Sequence, residues 1–271
     1  MRIVILPNAS NVAQFAADAL AAQLSIKAES VLGLATGSTP VALYNELIAR
    51  YQRAELSFKD VMSFNLDEYI GIKTSHNQSY RSFMNQHLFE HINIDINNTY
   101  VPEAYLPSKA ALLDSALAYE AKIAAAGGID LQILGIGING HIGFNEPSSS
   151  LVSRTRVKTL SQSTVAANKR FFKEGEFQPY LALTMGIGTI LDSRQILLLA
   201  TGENKANAVK AMIEGPLSAM VPASALQQHG NTCIIIDEAA ASQLTLKEYY
   251  QWSERQQSLL AKTGLGHMHE D

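Results

Sequence analysis

One histidine stands where a proton could be moved at neutral pH. His141 lies in the loop Gly137-Ile138-Asn139-Gly140-His141-Ile142-Gly143-Phe144-Asn145-Glu146-Pro147. An imidazole titrates near neutrality, and a nearby carboxylate such as Glu146 can orient it and hold its proton. A lone loop histidine can equally be a surface residue, but the apolar run in front of this one argues for function. A second candidate is the pair Asp67-Glu68, in Asn65-Leu66-Asp67-Glu68-Tyr69. Adjacent carboxylates at a strand end can carry protons; they can also be surface acids that cap the next element. A metal fits poorly, since no His or Cys ligand has suitable spacing nearby. Gly135 to Gly140 matches G-x-G-x-x-G. The dinucleotide reading fails, because no helix pattern follows and no acid lies about 20 residues on to hold a ribose.

Other residues suit an anion. Thr36-Gly37-Ser38-Thr39-Pro40 follows an apolar run and opens a helix. Small residues let the backbone come close, and the Thr36 and Thr39 hydroxyls with helix N-terminal amides suit a phosphate. The plainer alternative is a strand-to-helix turn with Thr39 as N-cap. No Gly-Lys-Ser/Thr follows, so this is not a Walker A loop. Lys205, in Thr201-Gly202-Glu203-Asn204-Lys205, sits at a helix start, where its charge opposes the helix dipole unless an anion compensates. Arg170, beside Lys169, is a second candidate clamp, although both could belong to a solvated face. Together these residues read as acid/base chemistry on a small phosphorylated polar molecule.

The elements that must hold them alternate. Apolar, Val/Ile/Leu-rich runs occur at Ile3–Leu6, Val31–Ala35, Val61–Phe64, Leu131–Ile136, Leu181–Thr184, Ile196–Ala200 and Cys233–Ile236. Helical patterns lie between them, at Asn11–Leu24, Val41–Tyr51, Tyr80–His91, Lys109–Ala126, Thr164–Phe172 and Lys205–Ile213, with a last one at about Thr245–Ala261. Pro40 suits a first helical position, and Gly127-Gly128 a C-cap. Strands alternating with helices predict an α/β fold, a parallel sheet sandwiched by helices, with ligands beyond the carboxyl ends of the strands. No linker or repeat divides the chain, which predicts one domain over residues 1–271.

Composition narrows the function classes. The chain has 271 residues, 47% of them apolar and only 17% charged. Such a chain is not disordered, and its sparse charge suggests surface buried against other subunits. Twenty-one Lys+Arg against 25 Asp+Glu give a formal charge of −4, without the basic stripe of a nucleic-acid binder. Cys233 is the one cysteine, which excludes an intrachain disulfide, fits a reducing compartment and reads as a core residue. No segment has the length of a membrane span or the pattern of a signal peptide. The sequons at Asn8, Asn77 and Asn97 are then chance matches, and His267 and His269 belong to a frayed end.

The segments LATGSTP (34–40), FNLDEYIG (64–71), GINGHIGFNEP (137–147), SRTRVKTL (153–160), ANKRFF (167–172) and TGENKA (201–206) carry a resemblance. Over nearly its whole length the chain resembles the isomerising glucosamine-6-phosphate deaminases. GHIGFNEP with NLDEY is the specific part; the related 6-phosphogluconolactonases share the fold but lack the FNEP continuation. The resemblance implies a Rossmann-like fold and no metal or organic cofactor. It implies conversion of glucosamine 6-phosphate and water to fructose 6-phosphate and ammonia, in the cytoplasm. Asp67 matches the family's base between C2 and C1, and His141 its ring-opening acid/base, held by Glu146. Thr36, Gly37, Ser38, Thr39, Arg170 and Lys205 match its phosphate site. A lid-like segment at about 155–185 would bring in Arg170. Asn139 departs from members with Asp there: it can hydrogen-bond but adds no charge to raise the His141 pKa.

Some members are hexamers activated by N-acetylglucosamine 6-phosphate between subunits. Ser149, Arg156 and Lys158 match that site, and Tyr249 or Tyr250 lies near its aromatic contact. Structural salt bridging is the alternative. The resemblance therefore implies a homo-oligomer, possible as a hexamer, whose partner is a small sugar phosphate rather than nucleic acid or membrane. Competing readings are a lactonase-like sugar-phosphate enzyme, a sugar-phosphate-sensing module and a pseudoenzyme. A strand starting at residue 3 leaves no room for the sensor's DNA-binding helices. Intact Asp67, His141 and Glu146 argue against a pseudoenzyme.

Overall fold

Strands covered on both faces need side chains that avoid water on either side, and the apolar runs supply them. The computed structural model describes residues 1–168, 172 and 175–262. In chain order its strands are β1 (Arg2–Leu6), β2 (Val31–Leu34), β3 (Met62–Asn65), β4 (Asp67–Tyr69), β5 (Thr99–Tyr100), β6 (Leu131–Leu134), β7 (Arg156–Thr159), β8 (Leu181–Thr184), β9 (Gln195–Ala200) and β10 (Thr232–Asp237). The helices are α1 (Ala9–Ile26), α2 (Ser38–Gln52), α3 (Tyr80–His87), α4 (Lys109–Ala125), α5 (Gln162–Asn168), α6 (Ile187–Leu191), α7 (Ala206–Ile213) and α8 (Lys247–Lys262). Short 3-10 turns join several of them.

One sheet runs β1-β10-β9-β6-β2-β3-β5, with every pairing parallel. Helices cover it, and Leu20, Leu47, Ile133, Ile196 and Ile234 are buried in the core between them. Cys233 is buried in β10 as its apolar neighbours predict, and burial pushes its thiol up to about 11, which makes it a poor nucleophile. Among the described residues, no helix is long and apolar enough to cross a membrane. From β2 the chain passes to β3 on one side, and from β5 it returns to β6 on the other. The crevice above β2 and β6 is therefore the switch point where open parallel sheets bind ligands.

The helices begin and end for local reasons. Asn8, one of the three sequons, caps α1 by accepting from the Asn11 amide at 3.1 Å. That helix buries Val12, Ala13, Ala16, Ala17, Leu20 and Leu24, a helical stripe. Gly127 and Gly128, both at φ +83, close α4 by donating to Ala124 O and Ile123 O, a Schellman stop.

Two expectations need correction. Leu181–Thr184 does not join the parallel sheet; it is the centre of a small antiparallel sheet, β4-β8-β7. A short apolar run reveals burial but not its partner. The outer strands of that sheet escaped notice because they are short and polar. In addition, α2 starts at Ser38 after Gly37 as cap, so Thr39 is not the N-cap and Pro40 stands third. Proline is tolerated there because first-turn amides lack intrahelical partners.

Candidate active site

Four loops leave the carboxyl edge of the main sheet beside one another. They follow β2, β3, β6 and β9, and carry respectively Thr36 to Thr39, Asp67, residues 137–147, and Thr201 to Lys205.

The two carboxylates at the end of β3 have separate fates. Asp67 opens β4, pairs in register with Thr184 and is buried. No hydrogen bond or cation from the described residues holds its charge; burial, then the neighbouring Glu68, push its pKa up to about 8. Glu68 is turned into the fold. Its Oε1 accepts from the Tyr69 and Tyr80 amides at 2.8 and 2.9 Å, and its Oε2 from the Arg81 amide at 3.1 Å. Burial raises its pKa while these three bonds oppose the rise. Glu68 is thus the acid that caps the next element, α3, but a buried one.

The loop after β6 passes close over Asp67. A Cβ on Gly143, at φ +54, would lie 3.1 Å from Thr184 Oγ1 and 3.4 Å from Asp67 Oδ2. The His141 ring lies flat against Gly137, where a Cβ would come within 2.2 Å of it, so any other residue at 137 would displace the imidazole. His141 Nδ1 is 2.7 Å from Asn139 Oδ1, and Asn139 Nδ2 donates to Glu146 Oε2 at 2.7 Å. The direct gap from Nδ1 to Glu146 Oε2 is 3.5 Å. An amide oxygen only accepts, so Nδ1 carries the hydrogen and the neutral ring offers a lone pair at Nε2.

Glu146 is anchored from its other side. Its Oε1 accepts from Thr164 Oγ1 at 2.5 Å, Ser161 Oγ at 3.2 Å and the Ser161 amide at 3.3 Å. Burial alone would raise its pKa; bonds and charge from His141, Thr164 and Asn139 outweigh it and bring it to about 2. Glu146 is therefore an anion throughout the neutral range.

The anion-binding candidates converge as well. A cleft of about 220 Å³ is lined by Ser38, Thr39, Thr201, Asn204 and Lys205, among others. Gly37 takes φ +101, and no side chain caps the α2 N-terminus, so its first amides are open to a ligand. Lys205 Nζ donates to Ile136 O at 2.6 Å, beside the His141 loop, and burial lowers its pKa. Thr36 interacts with the Tyr80 hydroxyl, which also reaches Tyr69 Oη at 3.1 Å. A larger opening of about 510 Å³ lies near His76, Tyr105, Glu176 and Phe177, and none of Asp67, His141 or Lys205 lines it.

Arg170 lies outside the described residues, as do Lys169, His267 and His269. Ser149 is buried and its Oγ donates to Glu146 O at 2.6 Å. Arg156 and Lys158 alternate along β7 and so share one face; burial lowers the pKa of both.

Comparison with known proteins agrees with this geometry. Residues 8–235 match the family model described as glucosamine-6-phosphate isomerases/6-phosphogluconolactonase. The chain belongs to this family. It is 64% identical over 260 residues to the glucosamine-6-phosphate deaminase of Marinomonas sp. (strain MWYL1), covering 96% of this chain and 98% of that relative. It is 59% identical over 266 residues to the glucosamine-6-phosphate deaminase of Cellvibrio japonicus (strain Ueda107), covering 97% and 100%. Among solved structures, a monomeric glucosamine-6-phosphate deaminase superposes with TM-score 0.86 at 41% identity, covering 90% of this chain and all of that one. The 6-phosphogluconolactonase from Trypanosoma cruzi superposes with TM-score 0.73 at 19% identity, covering 90% and 97%, which shows a shared fold.

Several residues of the family site escaped sequence reasoning. Thr164 and Ser161 lie in a polar stretch with no chemical signature, yet hold Glu146. Thr184 ends an apolar run, and its Oγ1 accepts the Phe144 amide at 3.1 Å. Only its position just after a strand hinted at a role, by the same logic that singled out Asp67.

Proposed function

We propose that this chain converts glucosamine 6-phosphate and water into fructose 6-phosphate and ammonia. The carrying observation is Asp67, a buried carboxylate without a partner among the described residues, crossed by the loop that holds His141. The deaminases at 64% and 59% identity support the substrate. Open amides at α2 and the Lys205 ammonium receive the phosphate, with Arg170 as a second clamp. His141 Nε2 takes the proton from the C1 hydroxyl and returns it to the ring oxygen, which opens the sugar. Asn139 and Glu146 steady the imidazolium in between. Asp67 then removes the C2 proton and delivers it to C1, through an enolamine. The resulting C2 imine adds water, its C–N bond breaks and ammonia leaves. An ammonia-release assay coupled to fructose 6-phosphate detection tests the proposal; glucosamine 6-phosphate left unchanged by folded protein overturns it.

The finer reading has its own supports. The lid-like segment, about 155–185, includes α5, and Thr164 of that helix holds Glu146. Movement of the segment would therefore act on the proton relay directly. Activation by N-acetylglucosamine 6-phosphate draws support from Arg156 and Lys158, two cations on one face of β7, and from Ser149 bonded to the Glu146 carbonyl. A homo-oligomer is supported by exposed apolar residues on α8, Tyr249 and Trp252 among them. A cytoplasmic setting is supported by the substrate, a charged sugar phosphate that does not cross a bilayer.

A further inference from the structure

We infer that Asn145 is a positioning residue that locks the loop carrying His141 and Glu146 onto the strand carrying Asp67. The inference rests on the deaminase reading above. Asn145 is fully buried in the FNEP segment. Its Nδ2 donates to Ile142 O at 2.9 Å and to Met185 O at 2.8 Å, and its Oδ1 accepts from Arg156 Nη1 at 2.9 Å. Its own backbone amide also donates to Ile142 O, at 3.1 Å. The turn from 142 to 145 is thus closed twice onto one carbonyl.

The bond to Met185 connects the two halves of the chemistry. Met185 follows β8, and its amide donates to Leu66 O at 2.7 Å, one residue before Asp67. Its carbonyl takes the Asn145 side chain, one residue before Glu146. Thr184, in register with Asp67, accepts the Phe144 amide and so pins the same loop. Asp67 and Glu146 are therefore fixed relative to each other through a single residue of β8. A side chain that could not donate twice would free the loop over Asp67. Misplacing reacting groups by about 1 Å costs about a hundredfold in rate. The phosphate contacts come from other loops and would stay.

The test compares the parent with Asn145→Ala, measuring kcat, KM for glucosamine 6-phosphate, and the affinity of a non-reacting phosphorylated sugar alcohol. Near-ultraviolet circular dichroism reports the fold. The expected result is kcat down by about a hundredfold, with KM and alcohol affinity within about threefold of the parent. If the alanine variant does not fold, Asn145→Asp takes its place: it keeps the volume and the acceptor for Arg156 but loses both N–H donors. Near-parent kcat in either folded variant, or a loss confined to KM, overturns the positioning role while leaving the deaminase reading intact. A parent that releases no ammonia overturns that reading itself, and the positioning role with it.

Discussion

His141 and Glu146 are joined through the amide of Asn139, which sits 2.7 Å from each, while their direct separation is 3.5 Å. The relay has one proton-bearing nitrogen, one neutral bridge and one anion. That arrangement determines what a charge at position 139 would do.

Asn139→Asp would set a carboxylate against Glu146 Oε2 in place of a donor. Two carboxylates at that distance do not both ionise freely, so one retains a proton to higher pH. Once both are charged, the imidazolium is held more strongly. The alkaline limb of the pH–rate profile should move upward in the variant. An unchanged profile would count against the relay.

Asp67 should set the acid side of the profile. Its pKa lies at about 8, and the carboxylate is the active form, so kcat/KM should fall as pH drops below that value. Asp67→Asn should lower kcat by at least about 10²-fold and leave the binding of a phosphorylated sugar alcohol largely intact. Near-normal turnover in that variant would sink the base assignment.

The same residue should trade stability for function. A carboxyl whose pKa is raised on folding costs stability progressively as pH climbs from its unfolded value, about 4, through about 8. Asp67→Asn removes that cost. Its melting temperature should exceed the parent's by at least about 2 °C at pH 9, with the gap closing toward pH 4. A gap independent of pH would show that the buried charge is not its source.

Glu146 gives the opposite sign. Its pKa is depressed to about 2, so its hydrogen bonds stabilise the fold above about pH 4.5, and that contribution is lost as pH falls toward 2. Thr164→Val removes the 2.5 Å bond to its Oε1. Urea unfolding should show a loss of about 1.5–3 kcal/mol at pH 7 that shrinks in acid. An equal loss at both pH values would mean that packing, rather than the charge, was disturbed.

Lys205 should act on binding. Lys205→Met keeps most of the side-chain length and removes the ammonium beside the cleft. KM for the sugar phosphate should rise about tenfold or more, with kcat changed far less. A fall in kcat at constant KM would instead give Lys205 a role in the chemistry.

Regulation can be read from the shape of the rate curve. A sigmoidal dependence on glucosamine 6-phosphate that becomes hyperbolic with N-acetylglucosamine 6-phosphate is expected, and Arg156→Met should abolish the change. A curve already hyperbolic and unmoved by the effector removes the proposal.

Much of the fold was legible because burial leaves a one-dimensional trace. Every apolar run became a strand, and Gly127-Gly128 closed α4 because successive left-handed residues suit glycine. The partner of a strand leaves no such trace. Val, Ile and Leu at 181–184 would serve a parallel or an antiparallel sheet equally, and only the fold brings Thr184 beside Asp67. The polar strand β7 and the threonine at 164 carried no pattern to read.

The sequence by itself determined that a histidine loop, a carboxylate pair and a hydroxyl-rich turn follow strands that end on one edge of a sheet. Residue types and strand order suffice for that, because parallel connection puts every such loop on the same side. Tertiary structure decided which carboxylate is which. Asp67 and Glu68 are neighbours of like charge, indistinguishable along the chain. Three backbone amides at the start of α3 claim Glu68, whereas Asp67 stays buried without a partner among the described residues, and its proton affinity rises for that reason. A pKa depends on burial and on neighbours in space, and neither is a property of the sequence read in line.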